Sequence, residues 1–356
     1  MDGFAVEVPV SSPMRACSSS SEKRIKCFYL IYQDYNASFT CFALDKENGE
    51  TRDFTISPAP GMTNPLPLYL LSAVVALGST VYIIGGMCYP EFCPEVTRHH
   101  HNMHAAVRFF DVLRPEEGWR EAAPMHFPRV MPAAAAIDGK IYVLGGSNID
   151  SPDEGECFDP KTNRWDRLPA AGYKVGFPYI VSPYVGRDVG KSILVHSGWD
   201  DGALHAYVLA TRKWEFISRD FSECDTPAAA AVVGDIMYTL LNGRDKKRRP
   251  LHGYHLIHKK WIPVDFDPNP EKEIDTEYAW VFASGSDKLY LLWYHYDPKD
   301  RGIHNRIECL ELRLHNSSSY SSDPGSETEH LIRVSMVSRT YFSLEPKVSH
   351  GNLIAT

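Results

Sequence analysis

Ile141-Tyr142-Val143-Leu144-Gly145-Gly146 is an apolar run that ends in two glycines, and Phe158-Asp159-Pro160-Lys161-Thr162-Asn163-Arg164-Trp165 follows it as a short strand, a turn and a tryptophan. The same order recurs along the chain. Val81-Tyr82-Ile83-Ile84-Gly85-Gly86 is a second copy, Ile193-Leu194-Val195-His196-Ser197-Gly198 a degraded third and Met237-Tyr238-Thr239-Leu240-Leu241-Asn242-Gly243 a weaker fourth. The tryptophans that punctuate the series are Trp119, Trp165, Trp214 and Trp261, spaced by 46, 49 and 47 residues. A fixed period of this length marks a repeat architecture. Residues 27–57 and 279–313 read as two further units that lack part of the signature.

Each unit reads as four short strands. In the Gly85-Gly86 copy they fall at about 73–77, 81–86, 106–112 and 119–123. Short apolar or alternating runs bounded by Gly, Pro, Asn and Asp-Gly are strand-and-turn signals. Asp138-Gly139 and Lys161-Thr162-Asn163-Arg164 stand where tight hairpin turns are needed. No segment keeps a capped 3.6-residue period, so helix content should be near zero. One four-stranded unit buries too little by itself, whereas six placed radially cover each other's faces and leave only short edges. The expectation is an all-β chain with a single β-propeller of six four-stranded blades over 23–314. Gly85, Gly86, Gly145, Gly146 and Gly198 belong where a crowded backbone leaves no room for Cβ. Trp119, Trp165, Trp214 and Trp261 belong in the wedges between units. Residues 1–22 read as a disordered tail and 315–329 as a polar low-complexity loop. Residues 330–344 alternate again and are a candidate closing strand, and 345–356 read as a C-terminal tail.

Glycine pairs, an aromatic and a tryptophan at a period of about 50 residues resemble the kelch repeat. Arg129 before the Ala-rich strand, Gly145-Gly146, Phe158-Asp159 and Trp165 carry the best match. The segment from Phe158 to Trp165 is similar to the repeats of plant F-box/kelch proteins in particular. The resemblance covers about 27–314. It implies a kelch-type propeller and recognition of a protein partner. In F-box/kelch proteins a helical F-box precedes the repeats. Here only some 26 Ser-rich residues precede the first unit, so the expectation is a propeller without F-box or BTB domain.

The chain has 356 residues, with 37 Lys and Arg against 45 Asp and Glu, a net charge of −8. An acidic chain is a poor nucleic-acid binder, because phosphate contacts need a basic face. No run approaches the ~20 apolar residues of a membrane span. The first residues lack the basic and apolar blocks of a secretory signal. The eight cysteines are scattered, as free thiols of a reducing compartment are. These features point to a cytoplasmic monomer. Lys246-Lys247-Arg248-Arg249 reads as a solvated hairpin tip, with nuclear import as the alternative.

In a four-stranded blade the loops between the second and third strands share a face with the links between blades. The long loops here are of those two kinds, so function belongs on that face. Its candidates are Arg129, Lys174, Tyr179, Trp199, Asp200, Arg244, Glu277, Tyr278, Trp280, Tyr294 and His295. Aromatics and a few charges around a central opening suit a peptide anchor or a small-molecule pocket. The bland alternatives are that Arg129 only bonds backbone carbonyls between blades and that Trp199 and Trp280 are core. The loop from Met87 to His104 holds Cys88, Cys93, His99, His100, His101 and His104. Thiolates with imidazoles suit zinc, but the Cys-x4-Cys spacing is loose, and a solvated insertion is favoured. No metal or cofactor is expected. The sequence lacks the nucleophile-elbow, zinc-protease, Walker and dinucleotide-binding motifs. Within the kelch family that this chain resembles, some plant members act on glucosinolate breakdown products with ferrous iron held by a Glu-x3-Asp-x3-His pattern. Glu271 and Asp275 keep that spacing, and Ala279 occupies the third position. The sequence therefore favours a recognition module that binds a protein partner through the long-loop face. The alternative is an isomerase, cyclase or lyase of plant specialised metabolism with a small-molecule pocket at the propeller mouth.

Overall fold

Short β-branched, aromatic and alanine-rich runs, each broken by a turn, form 24 strands among the described residues and no α-helix. The structure, a computed structural model, describes residues 27–33, 39–60, 71–87, 103–146, 155–173, 178–186, 190–197, 203–220, 227–241, 251–267, 279–294, 304–315, 331–348 and 352–355. In chain order β1 (Cys27–Gln33), β2 (Phe39–Asp45) and β3 (Thr51–Ile56) open the series. The second set is β4 (Ala73–Leu77), β5 (Thr80–Ile84), β6 (Val107–Asp111) and β7 (Arg120–Ala122). The third is β8 (Ala133–Ile137), β9 (Lys140–Leu144), β10 (Gly155–Asp159) and β11 (Arg164–Arg167). The fourth is β12 (Pro178–Gly186), β13 (Gly190–Ser197), β14 (Leu204–Val208) and β15 (Lys213–Ser218). The fifth is β16 (Pro227–Val233), β17 (Ile236–Leu241), β18 (Leu251–His255) and β19 (Lys260–Asp267). The sixth is β20 (Ala279–Ser284), β21 (Lys288–Tyr294), β22 (His304–His315) and β23 (Ile332–Val348), after which comes β24 (Asn352–Ala355). Within each set consecutive strands pair antiparallel, and β24 joins the first set beside β1, from Phe28↔Ala355 to Ile31↔Asn352. The outer strands β19 and β23 also pair, in parallel, from Val264↔Ile332 to Asp267↔Ser335, which joins two sets edge to edge.

The cores lie between neighbouring sets. Phe39 and Ile56 pack with Val81, Phe110 and Trp119. Tyr82 and Ile84 pack with Ala134, Phe158 and Trp165. Tyr142 and Leu144 meet Ile193 and Tyr207. Leu194 and Ala206 meet Ala230 and Tyr254. Leu240 and Val264 meet Val281 and Trp293. Phe282 and Leu292 of the sixth set then meet Phe28 and Phe42 of the first. The circuit of stacked sheets is closed, the arrangement of a β-propeller. First strands of successive sets lie against one another, β4 on β8, β8 on β12 and β12 on β16. That crowding accounts for Ala133-Ala134-Ala135-Ala136 in β8, buried throughout.

Turn chemistry follows the local sequence. Asp138 and Gly139 both have positive φ, 53° and 75°, as a two-residue hairpin turn of the primed type requires. The end of the chain differs from the expectation in one respect, the residues read as a tail. Residues 332–348 are the outer strand of the sixth set, and 352–355, expected in a tail, are the strand beside β1. Four residues are too few to show a period, so β24 carries no sequence signal of its own.

Candidate functional site

The strand ends sort the connections into two faces. On one side lie two-residue turns, Gly78-Ser79 joining β4 to β5, Asp138-Gly139 joining β8 to β9 and Gly234-Asp235 joining β16 to β17, together with the longer link 112–119 between β6 and β7. From the other strand ends leave the connections of the second and third sets whose described parts are 85–87, 103–106, 123–132, 145–146 and 168–173. The segment 123–132, which links β7 to β8, is described in full and shows how this face is built.

Arg129 straddles two sets. Its backbone belongs to the second, accepting from Gly86 N–H at 2.7 Å and donating to His104 O at 3.1 Å. Its side chain belongs to the third, with Nη1 donating to Gly145 O at 2.8 Å and Nη2 to Glu156 Oε1 at 3.2 Å. Both side chains are wholly buried, at 0% exposure. Glu156 also accepts from the N–H of His126 at 2.8 Å and of Phe127 at 3.3 Å, and its Oε2 lies 2.7 Å from His126 Nδ1. A buried carboxylate with a guanidinium and backbone donors around it is a satisfied ionic core. It holds the link rigid while the His126 side chain stays 44% exposed. The Arg167 guanidinium lies 4.7 Å from the Phe127 ring centroid, a cation–π contact.

The glycine pairs are required here. Gly85 and Gly146 have φ of 67° and 68°. A Cβ on Gly85 would stand 2.6 Å from Arg129 O, and one on Gly146 2.4 Å from Val130 O. The crowding that excludes Cβ comes from the link between sets. The tryptophans tie each set to the one before. Trp165 Nε1 donates to Ala123 O at 2.8 Å, Trp214 Nε1 to Pro169 O at 2.8 Å, and Trp261 Nε1 to Asp220 O at 3.3 Å. Trp119 uses its backbone instead, donating to Ser57 O and accepting from Ala59 N–H. Trp119 and Trp165 are buried, and Trp214 and Trp261 are half-buried.

Three binding-face candidates have described side chains, and all three are interior. Arg129 bonds backbone and Glu156 between sets, as its bland alternative has it. Trp280 and Tyr294 are core residues at the junction of the sixth and first sets, edge-on with ring centroids 5.2 Å apart. They are corrected from surface to core, because β20 and β21 are covered on both faces. Tyr179 lies in β12 without a described side chain, and Lys174, Trp199, Asp200, Arg244, Glu277, Tyr278 and His295 lie outside the described residues, as does Gly198. The segment from Met87 to His104 is described only at its ends. Cys88, Cys93, His99, His100 and His101 lie outside. His104 pairs with Arg129 in an isolated antiparallel bridge. Partial burial holds its imidazole below the ordinary range, and the nearby Arg108 charge lowers it further. Among the described residues no group of three or more His, Cys, Asp or Glu is placed to hold a metal. His126, Phe127 and Glu156 were not singled out in the sequence. The available signal was a glutamate among apolar residues at the start of β10, one unit from an arginine of the repeat.

Comparisons with known proteins agree with this architecture. The family model described as FKB95, Kelch-repeats domain, matches residues 6–321. An F-box/kelch-repeat protein of Arabidopsis thaliana is 35% identical over 169 residues, 44% of this chain and 37% of the relative. A second from the same plant is 30% identical over 272 residues, 70% of this chain and 60% of the relative. A third is 25% identical over 317 residues, 82% of this chain and 71% of the relative. The chain spans between a quarter and two-fifths of the length of the first few relatives it matches. With repeat glycines, interset tryptophans and a closed circuit of four-stranded sheets in place, the chain belongs to the kelch-repeat family.

Proposed function

We propose that this protein is a recognition module that binds a protein partner through the face of the long connections. Membership of the kelch-repeat family suggests an interaction module at the coarser level. The observation that carries the finer reading is the buried Arg129–Glu156 pair beneath the link 123–132. It fixes a backbone segment that presents His126 and Phe127 with no loop rearrangement needed. Pre-ordering of this kind lowers the entropy lost on association. A rigid aromatic beside an arginine is a usual anchor at a protein interface. The turns described at 78–79, 138–139 and 234–235 on the opposite face are tight hairpins, which leave little adaptable surface.

The test is capture of partners from a plant extract, followed by hydrogen exchange of the purified complex. Slowed exchange in 123–132, and binding weakened by about tenfold or more in Phe127→Ala, are expected. Protection confined to the hairpin turns at 78–79, 138–139 and 234–235 would overturn the proposal.

A further inference from the structure

The outer edges of the sets are not equally protected. Outer strands β7 and β11 are three and four residues long. Strands β19 and β23 cover each other by parallel pairing. Thr340 of β23 lies beside Gly49, at the turn into β3. Strand β15, six residues long, ends its sheet with no further strand beside it among the described residues. Exposed edges of this kind are templates for another strand.

The side chains along this edge are unusual for a surface in two ways. Phe216 is 52% exposed, yet it is braced. His205 stands edge-on to it at 5.6 Å, and Tyr173 stacks on His205 at 3.7 Å with 15° between the planes. The Arg219 guanidinium lies 5.8 Å from the Phe216 ring. Arg212 and Lys213 at the start of the strand are exposed, and Arg212 Nη2 reaches Arg167 O at 3.5 Å. Against these cations the strand itself carries only Glu215. Asp220 just beyond accepts from the Tyr254 hydroxyl at 3.0 Å. A basic strip with an aromatic at its centre thus runs along a strand edge that no described strand covers, in a chain whose net charge is −8.

We propose that the β15 edge takes an extended acidic segment of a partner protein, added as a further strand with an apolar side chain set against Phe216. Main-chain pairing would supply affinity, and the charge and the aromatic would supply choice of sequence. The molecule already contains the geometry. Residues 332–335 lie along the outer edge of β19 over four residue pairs. The register shift between Leu204 and His205 limits the regular part of β15 to its first four residues, the same length. A second copy of this chain paired in parallel register would set Arg212, Lys213 and Arg219 against their own kind, whereas an acidic segment meets them with opposite charge. This surface is separate from the long-connection face and stands without it.

The probe is a displayed library of random peptides selected on the full chain. The expected result is enrichment of peptides with Asp or Glu around an apolar residue, with slowed exchange at 213–216 in the complex. Phe216→Glu and, independently, Lys213→Glu should each weaken these peptides by about tenfold or more. Phe127→Ala should not. Both charge variants replace exposed groups, and an unchanged thermal midpoint verifies their fold. Peptides recovered equally on parent and variants, protection elsewhere than 213–216, or no enrichment on the parent would each overturn the proposal.

Discussion

Glu156 and Arg129 are each more damaging to lose alone than their shared contact suggests. Removing one partner leaves a fully buried charge with nothing to balance it. Glu156→Ala should therefore destabilise by about 3–5 kcal/mol. It also strips the acceptor from the His126 and Phe127 amides. The apolar pair Arg129→Met with Glu156→Leu should be milder than the sum of its single changes, by about 1–3 kcal/mol in a denaturant-unfolding cycle. Strict additivity would mean that the two groups do not act as a pair. The glycines beside them were legible in the sequence as a repeated pair, and crowding was the right reason in outline. What could not be read was the crowding partner. The carbonyls of Arg129 and Val130 reach the glycines only once two sheets are side by side. Glu156 was missed on the same ground, since its donors arrive from 29 and 30 residues away.

At the scale of a strand, the four repeat tryptophans share a position and differ in burial. Trp165 fills the seam between the second and third sets, its ring 4.9 Å from Phe158, and is buried. Trp165→Ala should cost about 3–5 kcal/mol. Trp165→Phe keeps most of the packing and loses the bond to Ala123 O, which should cost nearer 1 kcal/mol. Trp214 makes the matching bond to Pro169 O but is half-buried, so Trp214→Ala should cost less than Trp165→Ala. Urea midpoints of the three variants would check this order, and equal losses at Trp165 and Trp214 would contradict it. Strand type and turn positions were legible because alternation and Asp-Gly act locally. Trp280 and Tyr294 were placed on a surface because an aromatic at a strand end looks the same inside a seam and at its mouth.

Across the whole molecule, closure rests on two strands from the last quarter of the chain. Strand β24 puts Ile354 and Ala355 into buried positions beside β1. Without it, Phe28, Leu30 and Tyr29 keep a partner on one edge only. Deleting residues 352–356 should cost about 2–4 kcal/mol from lost apolar burial and strand pairing. The loss should appear as faster amide exchange in β1, with β16 and β17 little changed. Uniform acceleration throughout would mean that the sets unfold as one unit, and no change in β1 would mean that β24 is dispensable. The closed circuit was foreseeable from six repeats, but the strand that completes the first set was not, because Asn352-Leu353-Ile354-Ala355 is ordinary in isolation.

Strand β24 also sets an order in time. Strand β1 is translated about 320 residues before β24, its partner on the inner edge, while each following strand of its set finds a neighbour already made. During that interval β1, whose Phe28, Leu30 and Ile31 are buried in the finished molecule, offers an apolar edge to any other chain nearby. Until β24 is translated, that edge of β1 is the place where mispairing with another chain should start.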